Sequence, residues 1–118
     1  MAKPAIKVVT DCGTFTRKTA RKYSHIVVSR RSDKRIAEVR KYFSEFVDSY
    51  QRNPSEYPQG YFERRSKEKQ QFEQSIDQYF VNGFCGRLDL ALSLAGTVQK
   101  FGYHQDIRVY TIAGERVL

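Results

Sequence analysis

Between residues 36 and 50 the apolar side chains Ile36, Val39, Phe43, Phe46, Val47 and Tyr50 recur three or four residues apart, which places them along one side of an α-helix. A helix with a single apolar stripe must bury that stripe against another element, so the rest of the chain has to supply a second layer. Ser32 or Asp33 offers a side-chain oxygen to cap the start of this helix. Asn53-Pro54 and Tyr57-Pro58-Gln59-Gly60 end it, because proline cannot continue the hydrogen-bond ladder and glycine relaxes the turn.

The second layer is expected from strands. Ile6–Thr10 and Thr14–Lys18 are rich in Val, Ile, Thr and Phe and are separated by Asp11-Cys12-Gly13, which predicts a hairpin. After the polar Thr19–Lys22, the run Tyr23–Ser29 has the β-branched density of a third strand, so the three strands form a meander. A second helix is predicted from Tyr61 to Val81, charged all round in its first half and docking through Phe72, Ile76, Tyr79 and Phe80. Asn82–Gly86 is then a loop, Leu88, Ala91, Leu92, Ala95 and Val98 mark a third helix that stops at Gly102, and Asp106–Ile112 forms a last strand. A turn at Ala113-Gly114 precedes Glu115–Leu118. The expected fold class is α+β: one antiparallel sheet, a β-meander plus a C-terminal strand, with three helices packed on one face. At 118 residues the chain makes a single domain, residues 1–118.

Charge is distributed unevenly. The segment Arg17–Lys41 holds ten Lys and Arg against two acids, Asp33 and Glu38, and so carries the whole net charge of +8. A field so localised points to an anionic partner. Met1–Lys7 lacks the apolar region of a secretion signal, and no run approaches the ~20 apolar residues of a membrane span. Cys12 and Cys85 are far apart and outside any CxxC or zinc-type spacing. A cytoplasmic protein with reduced thiols, no membrane contact, no metal and no cofactor is expected.

Catalytic signatures are missing: there is no GxSxG, no GK[ST] glycine loop, no HExxH and no GxGxxG in context. The carboxylates are scattered beside Lys or Arg, and His25 and His104 fall in or next to predicted strands, where packing accounts for them. The protein is therefore expected not to be an enzyme. Thr14, Thr16, Arg17, Lys18, Thr19, Arg21 and Lys22 combine hydroxyls, guanidiniums and strand-end N–H groups, the donors that phosphate oxygens need. A charged edge strand guarded against aggregation accounts for the same residues equally well. Gly86-Arg87 before the third helix offers a second anion site, unless Arg87 simply pairs with Asp89. Arg31, Lys34 and Arg35 sit where cations oppose the dipole of the first helix, a local rule violation of the kind found at functional sites. Tyr57, Tyr61, Phe84 and Tyr103 lie in predicted loops or at element ends, placed either to stack on a base or to lid the core.

The string Gly13–Val28, GTFTRKTARKYSHIVV, together with Gly86-Arg87-Leu88-Asp89-Leu90-Ala91, resembles a group of small bacteriophage and prophage proteins, and among these is most similar to the Thoeris anti-defence sponge family. That resemblance covers the first 28 residues and the last third, and carries over no ligand residue of the family. It implies a non-catalytic protein that captures a cyclic nucleotide immune signal of the cyclic ADP-ribose type and so keeps a host effector switched off. On this expectation Thr16, Arg17, Lys18, Arg21, Arg87 and Arg108 hold phosphates and Phe84 or a loop tyrosine stacks on the base. Capture tight enough to inhibit calls for a deep pocket shared between protomers, hence a homo-oligomer. Two alternatives stay open: a basic protein whose Arg17–Lys41 segment tracks a nucleic acid backbone, and an anti-CRISPR-like inhibitor that docks through Glu63, Arg64 and Lys67.

Overall fold

The computed structural model describes residues 4–118, so Met1–Lys3 of the amino-terminal segment lie outside the described residues. β1 (Ala5–Thr10) and β2 (Gly13–Lys18) form the expected antiparallel hairpin around the two-residue turn Asp11-Cys12, with Val8 opposite Phe15. β3 (His25–Arg31) runs straight into α1 (Asp33–Arg52). A 3₁₀ turn at Pro54–Glu56 leads to α2 (Tyr61–Gln74), and the chain returns as β4 (Tyr79–Cys85). α3 (Leu88–Lys100) and β5 (His104–Thr111) complete the order. No helix among the described residues is long and apolar enough to cross a membrane.

The α+β class, the antiparallel pairing and the three helices all stand. The strands, however, divide between two sheets where one meander is expected: β1 and β2 pair only with each other, and β3 sits between β4 and β5. The cause lies in β3. Ile26, Val27 and Val28 are all 0% exposed, so both faces of the strand need cover, and only a central strand has neighbours and layers enough to supply it. Ile26 and Val28 pack with Val8 and Phe15 of the hairpin and with Tyr110 of β5. Val27 faces the other way, with Cys85, Val109 and the Ala91 and Ala95 side of α3. The result is a three-layer body of hairpin, sheet and helix.

The second helix also departs from expectation. It stops at Gln74, where the Ser75 N–H bonds the Gln71 carbonyl, and Tyr79–Val81, expected to be helical, pair with β3 instead. Tyr79 and Val81 face the hairpin side, so the segment alternates as a strand and its apparent helical spacing is coincidental.

Of the three helices, α3 lies along the sheet, while α1 and α2 pair with each other as an arm inserted between β3 and β4. The Cα radius of gyration, 18.4 Å, exceeds the roughly 13–14 Å of a compact chain of this length, as a projecting arm requires. The stripe on α1 is partly covered within the arm: Phe43 is buried, and the half-buried Phe46 packs edge-on to Tyr57 and Tyr61 while Tyr50 stacks on Phe62 at 4.6 Å. Arg40 grips Glu73 through two 2.9 Å hydrogen bonds, closing the helix pair at its base. Tyr57 and Tyr61 are thereby lids of the arm.

A polar knot ties the hairpin turn to β5. Tyr110, 1% exposed, donates its hydroxyl proton to Asp11 and accepts from Arg108 Nη1 at 3.2 Å, with Cys12 Sγ 3.4 Å away. Burial and the bond to Asp11 push the Tyr110 hydroxyl up to about 12, so it stays a donor. The bond from Tyr110 holds the Asp11 carboxyl below its usual range, helped by Arg108 and Arg116. Beyond the knot, the last residues fold back on β5, and Gly114 (φ +92°) brings the turn so close to β1 that a Cβ there would sit 2.1 Å from the Val9 carbonyl oxygen.

Tyr110→Phe is expected to lower stability by about 0.5–1.5 kcal/mol at pH 7, because the buried hydroxyl's bonds to Asp11 and Arg108 are lost while those two, 3.5 Å apart, still pair with each other. A depressed carboxyl contributes stability that is complete above the ordinary value near 3.9 and is lost as pH falls through the folded value. Urea unfolding of both proteins should therefore show a gap that is constant from about pH 5 to 8 and narrows in acid.

Candidate functional site

The sheet changes character just beyond its apolar centre. After Val28 the strand β3 continues with Ser29, Arg30 and Arg31, and the register breaks on both sides of it at this point. In β4 the pairing jumps from Val27 opposite Gly83 to Val28 opposite Val81, which makes Asn82 an extra, bulged residue. In β5 it jumps from Val28 opposite Arg108 to Arg30 opposite Gln105, and Asp106 takes a positive φ of 50° to accommodate it. Bulges bend a strand and re-aim side chains, and they gather beside functional sites.

Here they surround Ser29, 1% exposed, with two polar partners. Its Oγ lies 2.7 Å from Asn82 Oδ1, to which it donates, and 3.1 Å from His104 Nδ1. His104 also stands opposite Arg31 in the register. It borders two cavities of similar size. One, about 590 Å³, follows the groove between α3 and β5, from Leu92 to Leu118, and has Asp106 but no cation on its wall. The other, about 570 Å³, is lined by Arg31, Arg35, Phe80, Tyr103 and His104. Two guanidiniums and two aromatic rings around one space are what an anionic aromatic ligand requires, and the volume falls in the range of small-molecule sites, so this second cavity is the candidate site.

Its walls are fixed from several elements. Ser32 caps α1 by accepting from the Arg35 N–H at 3.1 Å, and its own hydroxyl donates to the Gly102 carbonyl at 2.9 Å. The Ser32 N–H bonds the Tyr103 carbonyl at 3.0 Å, and Asp33 and Gln105 exchange two further bonds. The start of α1, which carries Arg35, is thus locked to the loop that carries Tyr103, and the Arg35 guanidinium lies 5.6 Å from the Tyr103 ring centre. Arg31 lies over Phe72 and Phe80, at 4.9 and 4.7 Å, and Nη1 donates to the carbonyl and hydroxyl of Ser75. Arg35 has Glu38 at 3.6 Å, but Arg31 meets no carboxylate within 4.0 Å among the described residues. Burial, and then the nearby charge of Arg35, pull the Arg31 guanidinium below its ordinary value.

The seven residues expected from sequence to hold the ligand lie elsewhere. Arg17 and Phe84 do come together: the guanidinium sits 5.1 Å from the Tyr23 ring centre and 5.5 Å from that of Phe84, so the ring expected to stack on a base is packed by Arg17. Thr16, Lys18 and Arg21 are exposed on or after β2. Arg87 pairs with Asp89 at 3.1 Å, the ordinary alternative for that residue. Arg108 belongs to the Tyr110 knot and stacks over Tyr79 at 4.9 Å. None of the seven lines the candidate cavity.

Three of its residues carried a signal in sequence: Arg31 and Arg35 as cations at the wrong helix end, and Tyr103 as an aromatic between elements. Phe80, Asn82 and Ser29 did not stand out. An Asn-Gly pair inside the aromatic and β-branched run Tyr79–Phe84 is the mark of a bulged strand that would have placed the first two.

Arg17→Ala should cost about 1 kcal/mol through its two ring contacts, and Arg87→Ala less than about 0.5 kcal/mol, since an exposed pair contributes little. Urea midpoints of the two variants measure both. Comparison with family models, with curated proteins and with solved structures finds no match for this chain.

Proposed function

We propose that this protein binds a small phosphorylated ligand of the cyclic-nucleotide class between Arg31, Arg35, Phe80 and Tyr103, holds it unchanged, and so withdraws it from a host immune effector. One observation carries the ligand class: Arg31 presents a half-buried charge with no carboxylate partner in a cavity walled by aromatic rings. A phosphate supplies the missing counter-charge, and a base matches the rings. The setting in phage anti-defence, and the withdrawal itself, rest on the resemblance of Gly13–Val28 and Gly86–Ala91 to the sponge family.

Calorimetry with a panel that includes 3′,5′-cyclic nucleotides and cyclic ADP-ribose is the test. Binding tighter than high micromolar is expected for at least one member. Arg31→Gln and Arg35→Gln should each weaken it at least tenfold, the effect of losing a charge-assisted hydrogen bond of about 1.5–3 kcal/mol, and Arg87→Ala should leave it unchanged. Mass spectrometry of the released ligand should return its starting mass. A panel without binding sinks the proposal.

Nucleic acid binding is the second role, favoured by Lys18, Arg21 and Lys22, which are exposed and enter no ion pair among the described residues. Its signature is a gel-shift affinity that falls by nearly one log unit per phosphate contact for each tenfold rise in salt.

A further inference from the structure

The Ser29 hydroxyl has one proton and two neighbours. Asn82 Oδ1 can only accept, and at 2.7 Å it is at the ordinary O–H···O distance, so it takes that proton. At His104 Nδ1, 3.1 Å away, the same oxygen is left to accept, which requires the proton to sit on Nδ1 in the neutral ring. Nε2 then carries a lone pair. It has no hydrogen-bond partner among the described residues, and His104 lines the cavity beside Phe80 and Tyr103. Arg31 and Arg35 are pure donors and the Tyr103 hydroxyl can turn to donate or to accept, so His104 Nε2 is the fixed acceptor among the site's polar side chains.

We infer that His104 is the specificity-determining residue of this cavity: its Nε2, set as an acceptor by the Ser29–Asn82 relay, selects bases with an exocyclic amine over those with oxygen in its place. Resting on the binding role proposed above, this narrows the ligand to nucleotides whose base presents an exocyclic amine, that of adenine, cytosine or guanine, and disfavours hypoxanthine and uracil. Where the amine would sit, hypoxanthine and uracil put an oxygen lone pair against that of Nε2, and their neighbouring ring N–H reaches Nε2 only after the base has shifted off the rings and the guanidiniums, so a site built for the amine disfavours them. Ser29 and Asn82 are positioning residues that act through His104.

The test pairs binding with a direct view of the ring. Calorimetry at pH 8 compares 3′,5′-cyclic AMP with cyclic IMP and cyclic CMP with cyclic UMP, each pair differing in amine against oxygen and in the adjacent ring nitrogen, bare in the amine member and protonated in the other. A long-range ¹⁵N–¹H spectrum of the free full-length chain reports the tautomer, with His25→Gln serving to assign the two histidines. The amine member of a pair should bind about tenfold more tightly, and the His104 proton should lie on Nδ1. Asn82→Asp keeps the acceptor and should keep both results. Asn82→Ala releases the Ser29 proton toward Nδ1, so the His104 proton should move to Nε2 and the preference should vanish or reverse. Should Asn82→Ala not fold, the wild-type spectrum and Asn82→Asp decide alone. A wild-type proton on Nε2, or equal binding within both pairs, overturns the inference while leaving the cavity a ligand site. Absence of binding by all four nucleotides and by cyclic ADP-ribose overturns the binding role and this inference with it.

Discussion

Ile26, Val27 and Val28 form a stretch of strand with no face that tolerates water, and the layers of the body are arranged around that need. Burying three such side chains contributes roughly 1.5–3 kcal/mol each. Cover on one side comes from the β1–β2 hairpin and on the other from α3, whose small Ala91 and Ala95 allow close approach. The hairpin has no strand partner in the main sheet, so its position depends on side-chain packing and on the Tyr110 knot. A buried hydroxyl shared by Asp11 and Arg108 fixes what apolar contact alone would leave free to slide.

The same strand generates the candidate site immediately past its apolar centre. Ser29 cannot satisfy a buried hydroxyl with carbon neighbours, and leaving it unpaired costs about 1–3 kcal/mol. The bulges at Asn82 and Asp106 bring it an amide oxygen and an imidazole. Two residues on, Arg31 stands at the point where sheet, arm and cavity meet, held by Phe80 from β4, Phe72 from α2 and the Ser75 carbonyl just past it. The functional candidate is thus the polar continuation of the core strand.

How much of this was legible in the residues depends on the range of the interactions. The α1 stripe, the β1–β2 hairpin and α3 are set by spacings within twenty residues, and each is found where periodicity places it. β4 was hidden because Phe72, Ile76, Tyr79 and Phe80 fit a helical repeat as well as Tyr79, Val81 and Phe84 fit a bulged strand, and pairing with β3 decides between them. The site was legible only in pieces. Arg31 and Arg35 were conspicuous as misplaced cations and Tyr103 as a loop aromatic, but what joins them is Ser32 reaching Gly102 across 70 residues, which no local pattern encodes. The basic cluster around Arg17 drew attention through charge density, although its most distinctive member is satisfied by Tyr23 and Phe84.

That contrast separates two uses of positive charge in this chain. Arg87 and Arg108 each have a carboxylate at hand, Asp89 and Asp11, and Arg17 packs on two rings at the exposed surface, where water screens its charge, so little is gained when an outside anion approaches them. Arg31 has rings and neutral acceptors but no counter-charge, and Arg35 beside it adds repulsion. An isolated charge withdrawn from water costs free energy that its own packing only partly offsets. The deficit is local, and it is relieved by whatever anion enters between the two guanidiniums. On the binding role proposed above, an anion belongs where the protein's own electrostatics are least complete, and among the cations of the Arg17–Lys41 segment that are drawn out of water that place is Arg31.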